Sequence, residues 1–441
     1  MNFTEEGLLK QFREDNKQTF LQMLSQYEKE VAPMMRVKGY KRINESERTV
    51  TFSFGEITFS RSRWTNGRKT TCPIDDKLGL APYVRYAPAF IARLASLATT
   101  LPYRQVVKAV KRDYGLVISK DAVSKSVKQA RRLLKEKENY RFLKDHETVT
   151  KIKAKRIYLE GDGVMVKCSE GGDERRNIDL AHFVIHTGCE MGVGNRPILM
   201  NKKEFIHKDH SKAVEEVIDY LYNHFEITSE TVLITNSDNG KGYGKRLFQE
   251  IKKAIGIPHH EHFWDAYHLN EKLKVFLKPF PSQLLDLSFK ALKSHSKDVM
   301  RTVLDTCESL VETEEDEAIV TKFKSKLIRQ FSQTKPAYLR GFTHKGIGIM
   351  ESQHRKITYR MKHRGMYWSR AGAHTMSNLI LLEFTESLSD LFTGDWRKDY
   401  EAYQDNSFSL GLSNRNIKPE ERQPHKVYRG ITGQLFCPTK R

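Results

Sequence analysis

Apolar positions recur at helical spacing over residues 1–34, where Phe3, Leu8, Leu9, Phe12, Phe20, Leu21, Met23, Leu24 and Tyr27 alternate with charge. This predicts one or two amphipathic helices. Over residues 48–61 the period shortens to about two around Gly55, predicting a β-hairpin. From Tyr86 to Lys137 the helical period returns: one stripe holds Phe90, Ile91, Leu94, Leu97 and Ala98, and a second holds Tyr103, Val106, Val107 and Val110 after Pro102. Gly115 stops that helix, and Ser119 offers a cap for another carrying Val123, Val127, Ala130 and Leu134. Helix, short glycine-containing turn and helix predict a helix-turn-helix.

Residues 150–262 differ in kind. Short apolar runs at 156–161, 163–167, 180–187 and 196–200 read as strands, and 212–225 as a helix. A buried strand at Thr231–Thr235 and a helix at Leu247–Ile255 follow. The first two runs flank Gly161-Asp162-Gly163 and read as two strands meeting at a tight turn. On that reading Asp162 ends one strand much as Asp238, in Asn236-Ser-Asp-Asn-Gly, ends another. On neighbouring strands ~4.8 Å apart the two acids would meet. A simple hairpin turn at Gly-Asp-Gly is the competing reading. Leu273–Leu339 is helical throughout with an acidic patch at Glu312–Glu317, and Gly346–Lys356 opens a helix with Glu351, Arg355 and Lys362 on one face. Ala371–Phe392 reads as a further helix, and the chain beyond Tyr403 as a polar arm.

Charge sharpens this. The 441 residues hold 75 Lys+Arg against 55 Asp+Glu, a net +20, which favours a polyanionic partner. No stretch reaches the ~18 apolar residues of a membrane span, and the first six residues are acidic where a secretory signal would be basic. Nucleic acid is therefore the expected partner, with no membrane. Residues 101–142 carry twelve Lys/Arg against four Asp/Glu, with Lys125, Lys128, Arg131 and Arg132 on the exposed face of the second helix of the motif. A DNA-contacting helix and a merely charged linker both fit this pattern. Five scattered cysteines without a Cys-x-x-Cys pair argue against a disulfide framework and for a reducing cytoplasm. His182 and His186 lie four apart on a strand, ~13 Å at 3.3 Å per residue, too far to share a zinc ion.

Three acids, Asp162, Asp238 and Glu351, thus stand in an order suited to two-metal phosphoryl transfer, in which carboxylates hold two Mg²⁺ ions and no histidine or cysteine cage is needed. Around them the segments Glu160-Gly-Asp-Gly, Asn236-Ser-Asp-Asn-Gly, Trp264-Asp-Ala-Tyr-His-Leu, Glu351-Ser-Gln-His-Arg and Arg360-Met-Lys-His-Arg-Gly-Met-Tyr-Trp-Ser resemble the ISLre-type insertion-sequence transposases, bacterial DDE enzymes allied to the Mutator-like group. The resemblance spans nearly the whole chain. It implies an α/β ribonuclease-H-like catalytic core with an all-α insertion, preceded by a mainly α region with a β-hairpin and helix-turn-helix.

The domains expected are a helical region with the hairpin (1–84), the helix-turn-helix (85–148), the first part of the core (149–271), the insertion (272–343), C-terminal core helices (344–402) and the arm (403–441). The resemblance implies Mg²⁺ (Mn²⁺ can substitute) at Asp162, Asp238 and Glu351, with Asp265 and His268 in support, although a plain helix cap at Asp265 fits as well. The expected DNA contacts are the basic residues Lys125, Lys128, Arg131 and Arg132 of the helix-turn-helix and Arg355, Lys356 and Lys362 of the Glu351 segment. The partners would be double-stranded DNA, as the element's terminal inverted repeats and its target, and further copies of the chain when DNA-bound. Its setting would be the bacterial cytoplasm, on the nucleoid. The alternative is a transposase-derived DNA-binding protein without catalysis.

Overall fold

A computed structural model describes residues 4–144, 150–169, 175–192, 194, 197–343, 345–362 and 364–409. The chain divides into two compact units, one of residues 1–146 with 375–416 and one built mainly from 147–374.

The first unit begins with α1 (Glu5–Val37), a single 33-residue helix capped by the Thr4 hydroxyl accepting from the Gly7 amide. The predicted hairpin is longer than its sequence signal, with β1 (Lys41–Phe52) antiparallel to β2 (Gly55–Thr65) and a short β3 (Thr70–Thr71) beyond. Trp64 packs on Val31 and Met35 of α1. Beside the hairpin, α2 (Pro73–Lys77) presents Asp75 to Arg48 and Arg61, a buried ion-pair cluster. Three helices follow: α3 (Pro88–Thr100), α4 (Tyr103–Tyr114) and α5 (Lys120–Lys144). Gly115 takes φ 67°, the left-handed turn that ends α4, and the Ser119 hydroxyl accepts from the Ala122 amide at the start of α5. The buried stripe of α5 is Val123, Val127, Ala130 and Leu133, the last one position earlier than the expected Leu134.

The second unit is built on a five-stranded sheet. After β4 (Ile152–Lys153) come β5 (Arg156–Ser169) and β6 (Arg175–His186), then a β7 (Gly188–Met191)–β8 (Pro197–Met200) hairpin and β9 (Lys203–His207). Helix α6 (His210–His224) leads through β10 (Phe225–Glu226) to β11 (Val232–Ser237). Helix α7 (Lys245–Ile255) leads to β12 (His259–Trp264), a strand absent from the sequence reading. The sheet order is β12-β11-β5-β6-β9; β6 alone runs antiparallel to its neighbours.

The tight turn expected at Gly161-Asp162-Gly163 does not exist. β5 runs straight through it for 14 residues, so Asp162 is mid-strand and paired with His182. The glycines serve packing instead: a Cβ at 161 would overlap the Phe183 ring, and one at 163 the Asp179 carboxylate. Strand alternation then divides the sheet's faces. Ile157, Leu159, Ala181, Phe183 and Ile185 join α6 and α7 in one apolar core, which leaves Tyr158, Glu160, Asp162, His182 and His186 on the opposite face.

Beyond the sheet lie four helices, α8 (Ala266–Phe276), α9 (Ser282–Ser294), α10 (Lys297–Leu310) and α11 (Glu314–Gln330), packed around Leu273, Met300, Leu304 and Phe331. Helix α12 (Met350–Met361) packs on β5 through its buried His354 and Ile357. Helix α13 (Arg370–Phe384) carries the chain across the division at residue 375. With α14 (Leu388–Thr393) and α15 (Trp396–Ser409) it returns to the first unit, where α14 packs on α3 and α5. Glu386, at φ 54°, breaks the single helix expected over 371–392. The chain is helical to Ser409, six residues into the expected arm; residues 410–441 lie outside those described. No helix among the described residues is long and apolar enough to cross a membrane.

Candidate active site

Register decides which acids meet. β5 and β11 are parallel neighbours in which Val232 pairs with Arg156 and Asn236 with Glu160. Carrying that register two residues further sets Asp238, the first residue past β11, level with Asp162. Their charges are felt accordingly. Burial pushes the Asp162 carboxyl up to about 6; Asp238 adds to the rise, while the Gly163 amide and His268 oppose it. Asp162 Oδ1 accepts from its neighbour's amide, Gly163 N, at 2.7 Å, and Oδ2 lies 4.0 Å from His354 Nδ1. Asp238 accepts from the Gly240 amide at 2.6 Å and from Lys272 Nζ at 3.3 Å, and the same ammonium donates to the Asp238 carbonyl at 3.1 Å.

Glu351 lies in the first turn of α12, exposed, and none of the described hydrogen bonds or ion pairs joins it to either aspartate. The α12 residue that faces Asp162 is His354, one turn on, held neutral because burial pushes its imidazole down to about 3. What ties α12 to the sheet is Glu160. Its buried carboxylate accepts from the Gly348 amide at 2.7 Å and the Ile349 amide at 2.9 Å, just ahead of the helix. Burial raises its carboxyl to about 8 despite those donors. Asn236 Nδ2 donates to Glu160 at 3.4 Å and to Asp265 Oδ2 at 2.9 Å. Asp265 is itself the N-cap of α8, accepting from the His268 amide at 3.0 Å. The two readings of Asp265 therefore merge: it caps the helix with one oxygen and braces β11 with the other.

The histidines of the sheet bond to protein groups, although the buried His182 Nδ1 finds no partner. His182 Nε2 meets Glu204 at 3.1 Å, and His186 Nε2 donates to the Gly346 carbonyl at 3.0 Å. His260 and His262 both reach the Thr235 hydroxyl at 2.8 Å. Among the expected DNA contacts, Lys125, Lys128, Arg131, Arg132, Arg355 and Lys362 are exposed. Arg131 donates to Thr375, and Arg132 pairs with Glu136. Lys356 is a correction: its side chain is only 7 % exposed and its ammonium is locked 2.5 Å from Glu204, so it is not offered to a phosphate. Burial lowers that lysine's pKa, and burial of Glu204 is outweighed by His182 and Lys356, which hold its carboxyl well below the usual range.

Among the described residues no group of three or more His, Cys, Asp or Glu side chains is set to hold a metal ion. The donor chemistry of the two aspartates nonetheless suits a hard divalent cation: two part-buried carboxylates at one level, with the Lys272 ammonium on Asp238 supplying positive charge at the same place. Sequence reasoning missed Glu160, Asn236 and His354. Glu160 was findable, since a residue two before Asp162 on a strand shares its face. Asn236 is brought in by pairing across strands, for which the local sequence carries no signal.

Fold and site together define a mixed α/β protein with paired carboxylates on the polar face of its central sheet. The chain belongs to the family described as Uncharacterised protein family (UPF0236), whose family profile matches residues 1–398. A relative described as "UPF0236 protein in vanSb 3'region", from Streptococcus gallolyticus, is 30% identical over 383 residues, covering 86% of this chain and 81% of the relative. Among solved structures, the Drosophila P element transposase strand transfer complex aligns over 82% of this chain and 94% of that chain, at 11% identity and a TM-score of 0.24. At that score the likeness carries no argument about fold or function.

Proposed function

We propose that the protein is a DDE-type DNA transposase that binds the ends of an insertion sequence and cleaves and joins DNA strands with Mg²⁺. The observation that carries this reading is the register of β5 and β11, which sets Asp162 and Asp238 at one level, with the start of the Glu351 helix tied to β5 alongside. The sheet supports it as well: three antiparallel strands, a helix, a parallel strand, a helix and a parallel strand, in the order β9-β6-β5-β11-β12, is the arrangement a ribonuclease-H-like core requires. Helices α8–α11, between Asp238 and Glu351, correspond to the all-α insertion.

Asp162, Asp238 and Glu351 would hold the two Mg²⁺ ions, which supply activation of the attacking oxygen and charge stabilisation at the leaving 3′ oxygen. The chain's own groups supply the rest. Gly163 N and Gly240 N fix the rotamers of the two aspartates through the hydrogen bonds they donate. Lys272 supplies the positive charge that pairs with Asp238. His268, half-buried beside Asp162, offers an imidazole near the scissile phosphate. In the other unit, α4-Gly115-α5 would place Lys125, Lys128 and Arg132 against the phosphates of the element's ends. Double-stranded DNA is thus the proposed partner, with a homo-oligomer forming on it.

The Lys272–Asp238 ion pair also favours a second reading, a DNA-binding protein descended from such an enzyme, in which the lysine permanently replaces the ion. One experiment separates the two. Glu351→Gln, Asp162→Asn and Asp238→Asn should each retain binding to end-containing DNA in a mobility-shift assay while Mg²⁺-dependent cleavage falls to background. Cleavage by all three variants at the parental rate, or a parent protein that binds ends and never cleaves them, removes the enzyme reading. For end binding, replacing Lys125, Lys128 and Arg132 together with alanine should flatten the salt dependence of affinity by up to about three counterions; an unchanged slope moves the surface elsewhere.

A further inference from the structure

We infer that Glu160 is the positioning residue of this site: its carboxylate fixes where the first turn of α12, and with it Glu351, stands relative to Asp162. The inference rests on the enzymatic reading above and concerns a residue that reading leaves without a role.

Glu160 cannot touch substrate. It is 1 % exposed, and both of its oxygens are engaged. Its partners are unusual for a buried carboxylate, since no ammonium or guanidinium is among them. It takes two consecutive backbone amides, those of Gly348 and Ile349, one on each oxygen. Two consecutive amides can aim at one carboxylate only if the chain before them turns sharply, and Gly346 at φ 89° and Gly348 at φ 78° provide that turn. Helix α12 begins immediately afterwards, at Met350. The carboxyl group therefore ties down the two residues that lead into the helix, Gly348 and its N-cap Ile349.

The geometry also gives the anchor a direction. Glu160 is two residues before Asp162 on an unbroken strand, about 6.6 Å apart at 3.3 Å per residue, and on the same face of it. Glu351 is two residues after Ile349. The Glu160–Ile349 bond thus ties the strand that carries Asp162 to the segment that leads into the Glu351 turn. Asn236 extends it to β11, two residues before Asp238, and on to Asp265. One chain of hydrogen bonds therefore indexes the three candidate metal ligands against each other without touching any of them. Partners bonded directly to a metal ligand typically change metal affinity by about 10–100-fold when replaced; Glu160 acts one step further back, so the lower end of that range is expected.

The test is Glu160→Gln, which keeps the shape but gives one of the two amides an NH₂ in place of an acceptor. Three measurements are made on the full chain: Mn²⁺ binding by titration calorimetry, hydrogen exchange of the amides at 348 and 349, and cleavage against Mg²⁺ concentration. Mn²⁺ should bind about tenfold more weakly, exchange at 348 and 349 should quicken while β5 and β11 stay protected, and excess Mg²⁺ should restore cleavage. Glu351→Gln, lacking the ligand itself, should not be restored. Should Glu160→Gln fail to fold, Glu160→Asp keeps the carboxyl group, retracts it by one methylene, and should show the same pattern more weakly. Parental Mn²⁺ affinity in a folded Glu160 variant with quickened exchange at 348 and 349 overturns the positioning role and leaves the enzyme reading standing. A parent protein that itself binds no Mn²⁺ overturns both.

Discussion

The two units bury polar groups in opposite ways. In the helical unit the buried charge is a closed cluster, Arg48 and Arg61 on Asp75, and the remaining basic residues are spread over exposed helix surface. In the sheet unit buried polar residues lie on both sides of the sheet, with Thr235 and His262 against α7, and the face that carries Asp162 holds Glu160, His182, His186, Asn236, Asp265 and His354. Histidine follows the same division, with fourteen of the sixteen between residues 147 and 374. Burying a polar group is costly wherever it occurs. A cluster that neutralises itself is explained by the fold. On the sheet face Asp162 stays part-exposed among buried carboxyl and imidazole groups, and this is where the proposed metal site lies.

The contrast can be broken at its most costly point first. Asp75→Ala leaves two arginines facing each other in a buried site and should destabilise the helical unit by about 3–5 kcal/mol in denaturant unfolding. Calcium, magnesium or manganese ions should not rescue it. On the sheet side, Gly161→Ala forces a methyl into the Phe183 ring and should cost about 1–3 kcal/mol, with the loss relieved in the double variant Gly161→Ala/Phe183→Leu. An unaffected melting temperature for Gly161→Ala would mean that β5 is not continuous there.

The units should also part company with pH. Burial pushes His186 and His260 down to about 4 and His262 to about 3, so in the folded state these rings stay neutral where the unfolded chain would be protonated. Their contribution is complete above the ordinary histidine value and is lost as pH falls from about 6.5 toward 4, at about 1 kcal/mol per ring by pH 5.5. Thermal melts at pH 7.5 and 5.5, followed by hydrogen exchange in each unit, should show the sheet unit weakening first. The smallest effect belongs to the helical surface. Lys128→Ala should alter stability by less than about 0.5 kcal/mol while lowering affinity for end-containing DNA.

Sequence reached the local features. Gly115 and Ser119 punctuate α4 and α5 through their own backbone and side-chain chemistry, and Val232–Ser237 is apolar enough to announce a central strand ending at Asp238. It failed where a residue answers to a distant one. Gly161 and Gly163 read as a turn because local rules give glycine that role, whereas they are small to admit Phe183 and Asp179 from the next strand. Lys356 reads as a surface base until Glu204, 152 residues earlier, is seen to bury it. β12 hides behind its histidines, which are apolar in effect only because Thr235 accommodates them. Of the three acids read in order, the register of β5 and β11 brings Asp162 and Asp238 level; the ties from Glu160 to Gly348 and Ile349 carried no signal in the local sequence.

Helix α13 has one more consequence, for synthesis. The chain leaves the helical unit after α5 and re-enters it only through α13–α15, so residues 147–374 must be translated in between. At roughly 5–20 residues per second that interval is roughly 10–50 s. Throughout it the apolar seats that α14 fills on α3 and α5 have no occupant from their own chain. The sheet unit, contiguous in sequence, can complete itself on the ribosome, while the unit begun first must finish last. A truncation after α12 would therefore spare the acids and cripple the helical half.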